Sequence, residues 1–187
     1  LGAIVGGLYA FGKSPNEILD FFKSVYFFNW KHFTLSKPGF INSDIFRLYL
    51  KPIIGEIKIK DLKKELIINA TDLIQGETFV FSGDDYLLDA IIASCSVPGL
   101  ASPFKKDELL LSDGGILNNF PTNLIKEKCD KIIGIYVCPL QDVKNNQLNS
   151  IKAVATRAYV LLSYSVENYK FKDCDWLFSP KELSYYG

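Results

Sequence analysis

The sequence predicts an α/β fold in which one sheet carries helices on both of its faces. Short apolar runs with strand character alternate with longer segments of helical periodicity along the 187 residues. Apolar residues make up 48% of the chain, which is the composition of a folded domain with a substantial core. Neither a sequence repeat nor a low-complexity linker divides the chain, so we expect one domain covering residues 1–187.

Two helices are predicted near the start of the chain. Gly2–Phe11 contains three glycines, and each of them costs a helix roughly 1 kcal/mol relative to alanine, so we expect this helix to pack closely against a neighbour. Gly12 is predicted to cap its C-terminus. In the next segment Ser14 and Glu17 form the pattern of a capping box, with Pro15 in the first helical position. The predicted apolar face of this second helix consists of Ile18, Leu19, Phe22, Val25 and Tyr26.

The later elements follow from turn residues and apolar runs. Ser43 and Asp44 predict the start of a helix that ends at Leu50, because Pro52 interrupts helical hydrogen bonding. The elements expected after it are a strand at 66–70, a strand at 78–81, a helix at 87–95 capped by Asp84 or Asp85, a strand at 109–112, a helix at 121–129, a strand at 132–137, a helix at 150–169 and a strand at 176–178.

Charge and cysteine content exclude several functional classes. The 21 basic residues balance 21 acidic ones without a basic tract, so nucleic acid is not an expected partner. The cysteines form neither a Cys-x-x-Cys pair nor a Cys/His cluster, and the single histidine, His32, cannot build a metal site unaided. We therefore expect no metal and no cofactor. Buried, reduced thiols are predicted at Cys95, Cys129, Cys138 and Cys174.

The two ends of the sequence suggest that it is a piece of a longer protein. It contains no methionine and opens on Leu1, inside a predicted helix. We expect a parent protein with further residues upstream, where a signal or anchor would lie beyond this sequence. No apolar run in the sequence approaches the length of a membrane span, so we expect a location in the cytoplasm or at a membrane surface.

A carboxylate at a strand end is the main candidate for chemistry. The apolar run Leu109–Ser112 leads into Asp113, and Gly114 and Gly115 follow without side chains that could shield it. In open α/β sheets, ligands bind beyond the carboxyl ends of strands, which makes Asp113 a candidate base. Asp-Gly alone is a common turn, so this stretch also has a purely structural interpretation.

The glycine-rich helix at the start suggests what such a base would activate. In a nucleophile elbow, Gly-x-Ser-x-Gly, the serine stands on a tight turn between a strand and a helix. Leu1 and Gly2 would be the last two residues of that motif. We therefore expect the serine immediately before Leu1, outside this sequence.

Several segments together resemble the patatin-like phospholipase family. The helix Gly2–Ala10 is similar to the helix that follows the family's nucleophile serine. Asp113-Gly114-Gly115, followed by Asn119 and Pro121, resembles the family's Asp-Gly-Gly motif. The resemblance covers roughly residues 1–138, and the two further segments that carry it are Asn69–Leu73 with Gly76-Glu77 and Ala93-Ser94 with Pro98-Gly99 and Pro103.

The resemblance implies a three-layer α/β/α fold with a mainly parallel central sheet, incomplete at the N-terminus because the elbow strand and the oxyanion loop lie upstream. It also implies a lipid acyl hydrolase that uses a Ser-Asp dyad, with Asp113 as the catalytic acid–base residue. Leu1 and Gly2 would then belong to the elbow and the oxyanion site. We expect Gly114 and Gly115 to permit the backbone geometry there. Asn119, together with Asn118, would support the loop by side-chain-to-backbone hydrogen bonds.

The substrate implied by the resemblance is a phospholipid or another acyl ester, with peripheral contact to a membrane. Neither a metal nor a nucleic acid is required. The residues leave two other interpretations open. One is a catalytically inactive, lipid-binding or interaction module of the same fold, and the other is an acyltransferase that uses the same dyad.

Overall fold

The computed structural model describes residues 1–25 and 43–186, so the predictions for Tyr26 and His32 lie outside the described residues. The chain divides into two compact units, Leu1–Ile116 and Leu117–Gly187. That the whole chain acts as one catalytic domain stays a prediction.

The described elements confirm the α/β class. In the order of the chain they are α1 (Gly2–Phe11), α2 (Pro15–Ser24), α3 (Asp44–Ile54), β1 (Ile68–Asp72), β2 (Glu77–Phe81), α4 (Leu87–Ser94), β3 (Phe104–Lys106), β4 (Leu109–Asp113), the short α5 (Gly115–Asn118), β5 (Ile133–Ile135), α6 (Ile151–Glu167) and β6 (Trp176–Phe178). Short 3₁₀ helices lie between several of them, at Ile59–Asp61, Thr122–Leu124, Asn145–Gln147, Asn168–Asp173 and Lys181–Tyr186.

The sheet of the first unit is antiparallel, with the strand order β2-β1-β4-β3. The prediction of a mainly parallel sheet is therefore wrong for these strands. The physical reason lies in the connections, because strands joined by a tight hairpin must run in opposite directions. β1 and β2 are joined by a four-residue turn that ends at Gly76 (φ 70°), and β3 and β4 by a turn at Asp107 (φ 51°). The only parallel pair among the described strands is β5 with β6, in the second unit.

Helix α4 forms the centre of the first unit. It packs against α1, α3, β1 and β4. The side chains of Leu87, Leu88, Ile91 and Ile92 are almost completely buried, and burial of each such side chain contributes about 1.5–3 kcal/mol. The predicted caps at Asp84 and Asp85 are wrong, because α4 begins after Tyr86 without a side-chain cap.

Helix α1 matches its predicted bounds, and Gly12 caps it with a left-handed φ of 115°. Close packing explains only one of its three glycines. A Cβ at Gly7 would come within 2.8 Å of Ile91 Cδ1, whereas a Cβ at Gly2 would meet no heavy atom within 4 Å.

Alanine at these two glycines should therefore have opposite effects. We expect Gly7→Ala to lower the free energy of unfolding by about 1–3 kcal/mol, because the added methyl group overpacks the contact with α4. Gly2→Ala should be neutral or stabilising by up to about 1 kcal/mol, because alanine favours the helix and the site is open. Urea denaturation of both variants measures the difference, and equal effects would contradict the packing explanation.

The next helices confirm the capping signals and correct the apolar faces. The capping box of Ser14 and Glu17 is present at the start of α2, but Phe21 rather than Leu19 faces the core. Helix α3 continues through Pro52 to Ile54, where the prediction ended it at Leu50. Leu50 and Ile54 are both buried, and this packing compensates for the hydrogen bond that Pro52 cannot donate.

The second unit contains β5, β6 and α6. Ser150 caps α6, and β6 has its predicted bounds. The predicted helix at 121–129 is wrong, since only the 3₁₀ turn Thr122–Leu124 forms there.

Cys95 of the first unit is buried, but Cys129 and Cys138 are exposed, so the prediction of buried thiols is wrong for these two. No helix in residues 1–25 and 43–186 combines the length and apolar character needed to cross a membrane.

Candidate active site

Asp113 is the last residue of β4, and its backbone is fixed by two neighbouring segments. Its N–H donates a hydrogen bond to the carbonyl of Ser96, 3.0 Å away, just beyond the end of α4. Its carbonyl accepts one from Thr71 Oγ1 on β1, also at 3.0 Å. The position of the carboxylate is therefore set by the sheet and by α4 together.

The Asp113 carboxylate is itself held by the following turn. The Gly115 N–H donates to its Oδ1 at 2.6 Å, which fixes the side chain in one orientation. Within the described residues, Oδ2 has no hydrogen-bond partner and is left available to another group. Burial raises the pKa of this carboxyl group, and the hydrogen bond from the Gly115 N–H partly offsets that rise.

Gly114 is required by close approach to β1. Its carbonyl accepts a hydrogen bond from Asn69 Nδ2 at 3.2 Å. A Cβ at this position would lie 2.6 Å from that same nitrogen and closer still to the Asn69 carbonyl oxygen. A side chain at Gly114 would thus displace the turn that carries Asp113.

Two polar side chains around Asp113, those of Ser112 and Asn69, were not predicted as part of the site. Ser112 Oγ donates to the Ser96 carbonyl at 2.6 Å, so this carbonyl accepts from two successive residues of β4. Asn69 holds Gly114 from the neighbouring strand. One signal pointed to them, because Asn69 and Ser112 are polar residues within otherwise apolar strands, where a polar side chain needs a partner.

The start of α1 lies at the same place. Burial and the charge of Asp113 raise the pKa of the Cys95 thiol, and the Leu1 nitrogen lies close enough to act on the same group. The Leu1 nitrogen, the Cys95 thiol and the Asp113 carboxylate are therefore neighbours. Any residue attached to the Leu1 nitrogen would lie beside this cluster.

Asn119, the remaining predicted site residue, belongs to the second unit. Its N–H and that of Phe120 donate to the two carboxylate oxygens of Glu167, at 3.1 and 2.8 Å. Lys170 Nζ donates to Glu167 at 2.9 Å and to Asn118 Oδ1 at 2.6 Å. The segment 118–120 is thus held by a buried ion pair of residues about fifty positions later, which was not predicted from the sequence. The only sequence pattern that pointed to this ion pair was the spacing of Glu167 and Lys170, three positions apart and after the apolar part of α6.

The chemistry available at Asp113 is proton transfer. An oriented carboxylate with one unoccupied oxygen and a raised pKa can accept a proton from a hydroxyl group or a water molecule. Within the described residues, no three His, Cys, Asp or Glu side chains converge as metal ligands. Two cavities of about 550 Å³ lie in the second unit, and Asp113 lines neither of them.

The comparison with protein families decides the family of this chain. The family model described as patatin-like phospholipase matches residues 1–125, two thirds of the sequence. The chain belongs to the patatin-like phospholipase family. The prediction from the motifs is confirmed, and the match includes Asp113, Gly114, Gly115 and Asn119.

Curated relatives of this patatin-like chain come from bacteria and fungi. An uncharacterised NTE family protein of Mycobacterium tuberculosis is 32% identical over 125 residues, which are 65% of this chain and 34% of that protein. The lysophospholipase NTE1 of Meyerozyma guilliermondii is 31% identical over 140 residues, covering 71% and 10% of the two chains. The lysophospholipase NTE1 of Candida glabrata is 25% identical over 154 residues, covering 76% and 9%. The patatin-like chain therefore spans about a third or less of the length of these relatives.

Proposed function

We propose that the protein to which this chain belongs is a serine acyl-ester hydrolase that acts on phospholipids or similar lipids. The observation that carries this proposal is the Asp113 carboxylate, oriented by Gly115, desolvated, and near Leu1 at the start of α1. Membership of the patatin-like phospholipase family supports it, as do the fungal relatives named lysophospholipases.

The nucleophile in this proposal is a serine immediately before Leu1. Asp113 Oδ2 accepts the serine proton while the serine oxygen attacks the ester carbonyl carbon. The bond to the alcohol then breaks, the alcohol leaves with the proton from Asp113, and the acyl group stays on the serine. In the second half Asp113 takes a proton from water, the hydroxide attacks the acyl carbon, and the serine regains its proton as the acid is released.

Helix α1 has a defined part in this mechanism. The first backbone N–H groups of a helix have no intrahelical acceptor, and the helix dipole makes this end positive. The carbonyl of Leu1 accepts from Ile4 and Val5, so helical hydrogen bonding begins at Leu1, directly after the proposed nucleophile. Negative charge that develops on the attacked carbonyl oxygen is stabilised at this end. An upstream oxyanion loop, and an elbow strand completing a three-layer α/β/α fold, are part of the same proposal.

The raised pKa of Asp113 predicts the acid limb of the pH–rate profile. The base must be ionised to accept the serine proton, so kcat/KM should rise with pH through the pKa of Asp113. Burial raises that pKa, so the midpoint should lie above about 3.9, the ordinary value for aspartate. A profile that is flat down to about pH 4 would contradict this role, and a series of pH-stat rates with a soluble ester measures it.

A covalent probe tests the nucleophile itself. A fluorophosphonate should label the full-length protein on the residue that precedes Leu1, as located by peptide mass spectrometry. Prior occupation of the site by a slowly hydrolysed ester should protect it. Labelling elsewhere, or a residue other than serine at this position, would favour an inactive lipid-binding module. Labelling at this serine with transfer of the acyl group to an alcohol, rather than to water, would identify an acyltransferase.

A further inference from the structure

A groove of about 550 Å³ lies in the second unit, outside the residues matched by the family model. Its volume falls within the range of about 300–1,000 Å³ that is typical of small-molecule sites. Residues of the segment 138–148 line it together with the first half of α6 and Leu183. Its apolar wall includes Val143, Leu148 and Val160.

Two cationic side chains of α6 line this groove. Lys152 and Arg157 both line it, and neither forms an ion pair within the described residues. No described lining residue carries a carboxylate, because Asp142 and Glu182 line the neighbouring cavity instead. The lining of the groove therefore combines apolar side chains with two cations and contains no carboxylate.

The start of α6 adds to the positive character of one end. Ser150 and Ala153 also line the groove, and the Ala153 N–H donates to the Ser150 hydroxyl in the cap of this 17-residue helix. The positive end of a helix dipole favours anions within the first turn. The dipole and Lys152 thus act on the same region.

We propose that this groove binds an anionic amphiphile with a single acyl chain. The guanidinium fork of Arg157 and the ammonium of Lys152 pair with the carboxylate or phosphate oxygens of the head group. The acyl chain lies along Val143, Leu148 and Val160, where removing apolar surface from water favours binding. This site is separate from the catalytic proposal, because none of the residues assigned to hydrolysis lines it.

Titration calorimetry with short-chain probes tests the proposal. Dodecanoate and dodecyl phosphate, both kept below their micelle concentrations, should bind the purified protein, while dodecyltrimethylammonium should not. In the Lys152→Gln/Arg157→Gln variant the Kd should rise about tenfold, since both head-group contacts are lost. Val160→Asp should weaken binding in the groove at least as strongly, because it places a carboxylate beside the acyl chain.

Matched variants separate this site from general charge effects and from hydrolysis. Lys172→Gln removes an exposed cation that does not line the groove and should leave the Kd unchanged. The Lys152→Gln/Arg157→Gln variant should hydrolyse a soluble ester at an unchanged rate, because neither cation belongs to the residues assigned to hydrolysis, so the two proposals can fail separately. Preference for dodecanoate would indicate a free fatty acid, and preference for dodecyl phosphate a lysophospholipid-type head group. Equal binding of the cationic probe, no binding of either anion, or an unchanged Kd in the double variant would overturn the proposal.

Discussion

Replacing Asp113 by asparagine in the full-length protein should lower kcat for ester hydrolysis by at least about a hundredfold, the usual minimum for loss of a general base. The fold should persist, because an asparagine oxygen can still accept the Gly115 N–H that now bonds Oδ1 at 2.6 Å. The amide nitrogen would replace the oxygen that accepts the serine proton. Initial rates with a short-chain ester measure the effect. Asn-Gly sequences deamidate to a mixture of aspartate and isoaspartate, so the intact mass must be checked in each assay.

The matched control for this variant is Asp72→Asn. Asp72 ends β1 as Asp113 ends β4, and its Oδ1 accepts the Ile74 N–H at 3.0 Å in the same type of turn. The two substitutions therefore disturb equivalent local structure, and only Asp113 lies beside Leu1. Full activity in Asp72→Asn with loss in Asp113→Asn assigns the effect to chemistry. Retained activity in Asp113→Asn would exclude the dyad.

The same substitution should increase stability at neutral pH. The folded-state pKa of Asp113 is raised by burial, so the folded protein binds this proton more tightly than the unfolded chain does. The stabilisation that comes from this tighter proton binding is complete below about pH 3.9, the pKa of aspartate in the unfolded chain. It is lost as the pH rises through the folded-state pKa of Asp113. Asparagine avoids that loss. We expect a higher urea midpoint for Asp113→Asn at pH 7, and a difference that shrinks as the pH falls toward about 4.

Features determined by a few adjacent residues were predictable from the sequence. Ser14, Pro15 and Glu17 specify the start of α2, and Gly12 specifies the end of α1, because a cap depends on groups within one turn. The position of Asp113 at a strand end was predictable for a related reason. The apolar run before it and the glycines after it define a strand end whatever the strand pairs with.

Features determined by distant partners were not predictable. The continuation of α3 through Pro52 depends on burial of Ile54, which no local pattern reveals. The antiparallel sheet depends on which strands pair, whereas the family resemblance implied a mainly parallel sheet. Asn69 and Glu167 illustrate the same limit at the level of side chains. Each of them holds a segment more than forty residues away, so its hydrogen-bond partner could not be predicted from the sequence.

Glu167 is the position where a single substitution should cost the second unit most. Its carboxylate is 2% exposed and accepts from Lys170 and from the N–H groups of Asn119 and Phe120. Glu167→Gln would leave the Lys170 ammonium buried without a counter-charge, and breaking a buried ion pair in this way costs about 3–5 kcal/mol. Urea denaturation measures the loss. Hydrogen exchange at the Asn119 and Phe120 amides, which should accelerate, reports it locally.

An exposed pair with the same spacing provides the control for Glu167. Asp20 and Lys23 also lie at i and i+3, 3.7 Å apart, but their side chains are 75% and 66% exposed. Asp20→Asn should cost less than about 1 kcal/mol, since water already solvates both charges. Replacing both buried partners, Glu167→Gln with Lys170→Met, should recover much of the lost stability, because no uncompensated charge then remains. If Glu167→Gln and Asp20→Asn lowered the free energy of unfolding equally, burial would not strengthen the Glu167–Lys170 ion pair. This ion pair would then not be what holds segment 118–120.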